Sequence, residues 1–317
     1  MHFTNIIIMK KYFLFLITIL LLTSCEDIID LELEQNDSQL VVDAWLNDQP
    51  GPQVIKLRRT IDYLDNSFTP EVTGATITVA DINLSDSTIN QLYFFEDEDN
   101  DGDYVWTPAT TGEKMIQEGK DYGLLIDFDG DQYVSLSKAN RTIPIDSIGY
   151  EYQEDEVGQP DGIYAQIYAK DAVGEGDVYW IKTFKNGAFL NKGQEMNLAY
   201  DGAFGPGTNS DGILFISPIR FGINRVADSG DGAIDDSDIP PYAIGDSIRV
   251  EIHSLTQEAF FHLFQARTQI TQGDNGLFAT PINNIPTNIF SQNEDAKESP
   301  IGFFCVSKVS SAERVIE

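Results

Sequence analysis

The chain has 317 residues and a formal net charge of −31, with 51 acidic against 20 basic side chains. A surface of that sign repels nucleic-acid phosphates and anionic lipid head groups, which excludes DNA, RNA and polybasic attachment to a membrane. The length suffices for two ordinary domains with real cores, and one large β domain also fits.

The N-terminus reads as an export signal. Lys10-Lys11 precede an apolar run from Tyr12 to Leu22, broken only by Thr18, and Met9 is a plausible start. That run is too short to span a bilayer, which takes roughly 20 apolar residues. Leu22-Thr23-Ser24-Cys25 resembles the bacterial lipobox, in which the cysteine is acylated and becomes the new N-terminus. Residues 1–24 are therefore expected to be a lipoprotein signal peptide and Cys25 the site of lipid attachment. The bland alternative is an ordinary signal followed by chance by a cysteine. Cleavage removes two basic residues and no acidic one, so the mature charge becomes −33. Contact with the membrane then comes through the lipid, and stable anchoring takes two or more chains at about 0.8 kcal/mol per buried methylene. With Cys25 acylated, Cys305 has no partner, and its apolar setting in 301–306 predicts a buried, inert thiol.

Residues 25–38 carry acidic and amide side chains around Ile28, Ile29, Leu31 and Leu33 and read as a tether. Strand-like segments follow at 40–46, 53–61, 75–80, 91–95, 104–106, 122–128 and 132–136, with turn residues between them. Seven short strands predict an Ig-like β-sandwich over 39–143. Thr76 and Thr78 alternate with Ile77 and Val79, the period of a sheet with one wet face. Pro144 cannot donate to a ladder and pushes Ile143 into an extended conformation, so Ile143-Pro144 is taken as a domain boundary.

A second β-rich domain is expected over 144–317. Segments 163–168 and 178–184 read as strands, and the latter pairs with 188–190 through Lys185-Asn186-Gly187, since Asn-Gly suits a tight primed turn. A loop at 201–212 precedes strands expected at 213–216, 220–223 and 248–252. One helix stands out at about 256–270, capped by Ser254 or Thr256. A helical wheel gathers Phe260, Phe261, Leu263, Phe264 and Ile270 on one face, expected to pack on a sheet, with His262 turned away. The final strand is 301–306.

Two acidic loops invite calcium. Asp97, Asp99, Asp101 and Asp103 have the alternate spacing that converges carboxylates on a hard cation, with Gly102 allowing a sharp turn, though the twelfth place is Pro108 rather than Glu. In 227–238, Ser229, Asp231, Asp235 and Asp238 fall at the third, fifth, ninth and twelfth places of an EF-hand-like loop whose first place is Ala227. The bland reading of both is a solvated turn. Catalysis has less to offer. His253 and His262, expected on the polar sides of a strand and a helix, lack zinc-ligand spacing, and there is no G-x-S-x-G elbow or complete phosphate loop. Paired carboxylates of a glycosidase cannot be picked out of 51. The expectation is a protein without catalytic function. Tyr104 and Trp106 share one strand face and could stack on a glycan or peptide, although a sandwich core claims the same residues.

Taken in order, several motifs resemble a family of Bacteroidetes lipoproteins known as a domain of unknown function, DUF4249. They are the lipobox with its acidic flank, Leu40-Val41-Val42-Asp43, 74–79, Ile143-Pro144-Ile145-Asp146, 245–250 leading into the Phe-rich helix, 286–289 and 301–304. The resemblance implies an outer-membrane lipoprotein, often encoded near TonB-dependent transporters, that assists nutrient uptake; it brings no catalytic residues. Glu26-Asp27 and Asp30 resemble the signal that sends such lipoproteins to the cell surface. The expectation is a mainly β, two-sandwich accessory or binding subunit. The rivals are an independent calcium-stabilised surface adhesin for glycan or peptide, and a hydrolase.

Overall fold

Alternation builds the first strands. In β1 (Leu40–Asn47) every second residue, Leu40, Val42, Ala44 and Leu46, is buried, and β2 (Gln53–Arg59) does the same with Ile55 and Leu57. The computed structural model describes residues 38–62, 65, 67–154, 159–207, 210–227, 237–272, 285–293 and 299–317, and in it Ser38–Glu317 form one unit. Cys25 and the tether lie outside the described residues. The fold is mainly β.

The next strands are β3 (Thr76–Asn83), β4 (Thr88–Phe95), β5 (Asp103–Trp106), β6 (Asp121–Phe128) and β7 (Asp131–Lys138). They match the expected segments to within a few residues. After them come β8 (Ser147–Gln153), β9 (Gly162–Tyr168), β10 (Val178–Lys185), β11 (Ala188–Phe189), β12 (Asn197–Tyr200), helix α1 (Ser217–Phe221), β13 (Ser247–Ser254), helix α2 (Gln257–Gln272), β14 (Phe290–Ser291), β15 (Ile301–Ser307) and β16 (Val309–Val315). Asn186 and Gly187 take positive φ values of 51° and 83°, the primed turn expected between β10 and β11. The expected strands at 213–216 and 220–223 do not form. Leu214 makes only an isolated bridge to Lys170, and Pro218, which cannot donate to a ladder, opens α1 instead.

The first sandwich packs the sheet β15-β1-β2-β5 on the sheet β14-β7-β6-β3-β4. Val79, Phe95, Tyr104, Tyr122, Ile126 and Phe304 are among the residues of its core. The expected boundary at Ile143-Pro144 does lie between two sandwiches, but the division of the chain there needs correcting. β15 pairs in parallel with β1 from Val41↔Ile301 to Asn47↔Ser307, and β14 pairs with β7. β14 and β15 therefore complete the first sandwich, not the second. Gly302 makes the parallel pairing fit: its φ is 100°, and a Cβ there would lie 2.0 Å from the Val42 carbonyl oxygen.

The second sandwich sets the sheet β11-β10-β13-β16, to which β12 adds through β10, against the β8-β9 hairpin and α1. The two sandwiches meet along a seam. Trp45, Phe303 and Cys305 from the outer face of the first pack with Val178, Trp180, Leu198 and Tyr200 from the second, and α2 wedges in with Ala259, Phe260 and Leu263. That position explains why the helical wheel misassigns α2. A helix in a crevice has walls on two sides, so Ala259, Phe260 and Leu263 are buried whereas Phe261, Phe264 and Ile270 are exposed. His262 turns inward, its ring 4.7 Å from that of Phe303. Thr256 caps the helix as expected, its Oγ1 accepting from the Ala259 N–H at 3.2 Å.

Candidate functional site

The second sheet of the first sandwich is apolar on the wrong side as well as the right one. β6 sends Tyr122, Leu124 and Ile126 into the core yet carries Gly123 and Leu125 on the outside, and β7 buries Ser135 and Ser137 while exposing Leu136. Ser137 earns its place inside by accepting from the Val306 N–H at 3.1 Å. Ile82, Leu84, Ile89 and Leu92 extend the outer apolar surface across β3 and β4, and Phe290 extends it beyond β7. At Gly123 a Cβ would meet Ile82 Cδ1 at 2.5 Å, so the glycine lets Ile82 lie down on the sheet.

This surface is the floor of a groove of about 1060 Å³. Its wall is the first turns of α2, through Glu258, Phe261 and His262, together with Pro286, Thr287 and Asn288. Leu136, Ile89 and Phe290 are 57, 59 and 62% exposed, and a contiguous apolar surface of this kind on a chain of charge −31 makes the groove the candidate site. Polar groups are few. His262 Nδ1 lies 2.7 Å from the Pro286 carbonyl, and burial pushes its pKa below the ordinary value. The neutral ring thus keeps its proton on Nδ1, donates it to Pro286 and leaves Nε2 as an acceptor. Asn288 locks the wall to β15: its Nδ2 donates to the Phe304 carbonyl at 2.8 Å and its Oδ1 accepts from the Phe304 N–H at 2.9 Å.

A smaller recess of about 510 Å³ adjoins the end of β4, lined by Phe94, Glu96, Glu98, Asp99 and Asp101 among others. It holds the first loop considered for calcium. Its carboxylates do not converge. Asp97 accepts from the N–H groups of Asp101 and Gly102, Asp101 accepts from the Asp103 N–H, and Asp103 is paired with Lys56 and Arg58. Those bonds hold Asp103 below the usual carboxylate range against a desolvation that acts the other way. Among the described residues no group of three or more His, Cys, Asp or Glu is arranged for a metal ion. In the second loop Ser229, Asp231 and Asp235 lie outside the described residues, and Asp238 is exposed.

Tyr104 and Trp106 do not form a binding platform. Tyr104 is 1% exposed, donating to the Val72 carbonyl at 3.0 Å and accepting from the Ala75 N–H at 3.0 Å. Trp106 is buried edge-on against Tyr93, their centroids 5.6 Å apart. Tyr179 and Trp180 do point to opposite faces of β10, Tyr179 into the second core and Trp180 into the seam. The polar side of β13 proves to be interior, because it faces the seam. His253 is 4% exposed with Nε2 3.0 Å from Glu251, and burial holds it well below its ordinary pKa. Beside it Lys182 places Nζ 4.0 Å from the Trp180 ring centroid. Burial lowers its pKa to about 8, opposed only in part by Cys305 and Asp43. Cys305 is fully buried and free, its thiol pushed up to about 11 by burial, in line with the expected inert cysteine.

The groove was the feature that sequence reasoning missed. Its signal was the apolar character of both faces in 121–126 and the inverted alternation of 133–137, where serines stand inside and Leu136 outside. Among the described residues no helix is long and apolar enough to cross a membrane. A model of the family described as a domain of unknown function (DUF4249) matches residues 26–313. Comparison with curated proteins finds no significant match.

Proposed function

The chain belongs to the DUF4249 family, and from that premise we propose that it is a lipid-anchored outer-membrane protein, exposed at the cell surface, that serves as a non-catalytic binding subunit of a TonB-dependent nutrient uptake system. The groove carries this reading. An open apolar floor about 1060 Å³ in capacity, walled by α2 and offering few polar groups, suits retention of an apolar segment of a partner or cargo rather than bond-breaking chemistry. The lipobox at Leu22–Cys25 supplies the anchor, and the acidic flank from Glu26 supports export to the surface.

The test is extraction of the tagged lipoprotein from its own outer membrane in mild detergent, followed by identification of what accompanies it. A TonB-dependent transporter in stoichiometric amount is expected, and it is lost from a Leu136→Asp/Phe290→Asp variant that keeps its fold because both side chains are exposed. Recovery of the protein alone would remove the uptake role and leave an independent surface binder for glycan or peptide.

A further inference from the structure

We infer that the border of the groove receives an extended polypeptide segment, which adds as a strand to the free edge of β4, carries the apolar floor outward with alternate side chains and places a basic residue over the acidic loop that follows. The inference rests on the groove as the binding face and names the kind of segment that docks along its β4 border.

Three observations meet at β4. It ends its sheet: β4 pairs with β3 from Asn83↔Thr88 to Ile77↔Phe95 and, among the described residues, has no second partner strand along its length. Only Glu96, past its end, bridges to Val105. An eight-residue edge of about 26 Å is a ready template for another strand, and edges not meant for pairing usually carry lysine, proline or an inward-pointing charge. The residues Thr-Ile-Asn-Gln-Leu-Tyr-Phe-Phe of β4 include none of these, and the one register shift in its ladder, which leaves Asn90 unpaired, keeps Gln91–Phe95 as a regular edge of about 16 Å.

The second observation is continuity. Ile89 and Leu92 of β4 belong to the groove floor, and Phe94 is 58% exposed beside them. A strand added along Gln91–Phe95 would set every second side chain next to Leu92 and Phe94, the arrangement by which strand addition combines backbone affinity with side-chain selectivity. The third is charge. Asp97, Asp101 and Asp103 are occupied within their own loop, but Glu96, Glu98 and Asp99 are exposed and have no basic partner among the described residues. They stand immediately after the C-terminal end of β4. For an antiparallel addition, the commoner pairing, that is where the N-terminal end of the incoming segment arrives. The complementary occupant is therefore an apolar, alternating segment with a lysine or arginine at its N-terminal end.

The experiment uses the full chain in lipid nanodiscs and, as probe, a labelled nine-residue synthetic peptide with an N-terminal lysine followed by alternating valine and threonine. Saturable binding is expected by fluorescence anisotropy. Two further peptides carry N-methyl groups on alternate residues, one on each edge of the strand, with side chains unchanged. One isomer is expected to bind like the parent and the other at least tenfold more weakly, because only one edge faces β4. A Glu98→Lys/Asp99→Lys variant is expected to weaken the parent about tenfold and leave a peptide with norleucine in place of lysine unaffected. Absence of binding by the parent, equal binding by the two isomers, or equal response of both peptides to the charge reversal would each overturn the inference. If the transporter is still captured in a Leu136-dependent way, the groove reading survives that failure; if Leu136→Asp/Phe290→Asp changes nothing, the groove reading falls.

Discussion

Replacing Lys182 by Met is expected to stabilise the protein, and to do so more at neutral than at alkaline pH. The lysine is held in the seam between the sandwiches, its Nζ 4.0 Å from the Trp180 ring and, among the described residues, without a hydrogen bond or ion pair. The unfolded chain holds the proton up to the ordinary value of 10.5, the folded chain only to about 8. Between those values the unfolded state binds more protons, so stability rises with pH. At pH 7 the penalty for keeping the ammonium is at most about 3 kcal/mol, at 1.36 kcal/mol for each factor of ten. The side chain keeps some contact with water and gains about 0.5–1 kcal/mol from the indole face, which together bring the expected benefit of Met to about 1–2 kcal/mol. At pH 9.5 most of it should be gone. Equilibrium urea unfolding of wild type and Lys182→Met at these two pH values measures both quantities as a difference between the two proteins, which removes the opposing pH dependence that Cys305 and the buried Tyr122, Tyr179 and Tyr242, all raised by burial, add to each. A Met variant that is less stable at both pH values, with the wild-type slope, would show that the ammonium on Trp180 contributes net stability and would refute the reasoning.

Acid should weaken the same seam through its histidines. His253 and His262 both have pKa values lowered by burial, so their contribution is fully present above about 6.5, the unfolded value, and is lost as pH falls below it; urea midpoints should drop between pH 7 and 5, and a His253→Gln/His262→Gln variant should lack that drop. Tyr104→Phe is expected to cost about 1–3 kcal/mol by leaving the Val72 carbonyl and the Ala75 N–H without their partner, and to leave capture of the proposed transporter partner unchanged once folded. If Tyr104→Phe or Trp106→Phe lost the partner at unchanged stability, the assignment of these rings to the core would be wrong. Asp101→Asn and Asp103→Asn should leave any response of Tm to millimolar calcium as it is in the wild type, since these carboxylates serve the loop and the Lys56–Arg58 pair; loss of a response in either variant would place the cation there.

Local pattern made much of this molecule legible. The period-two alternation of 40–46 and 75–80, the Asn186-Gly187 turn and the Thr256 cap all act over a few residues, where backbone sterics and short hydrogen bonds decide the outcome, and each forms as the sequence implies. The buried thiol of Cys305 was legible for the same reason, from the apolar run around it. The order of motifs along the chain pointed to the family without any coordinates.

What tertiary structure alone decided is which face counts as inside. Alternation distinguishes two sides of a strand but does not say how many of them are covered. Two sandwiches pressed together bury the polar side of β13, so His253 and Glu251 become interior, and α2 between them buries a different face from the one the wheel selects. The parallel return of β15 to β1 joins residues some 260 positions apart, a pairing that no local signal encodes and that completes the first sandwich from the end of the chain. The groove has the same origin: Leu136, Leu125 and Ile89 are ordinary strand residues in sequence, and only the placement of α2 and Pro286–Asn288 beside an uncovered sheet face turns them into the floor of a groove.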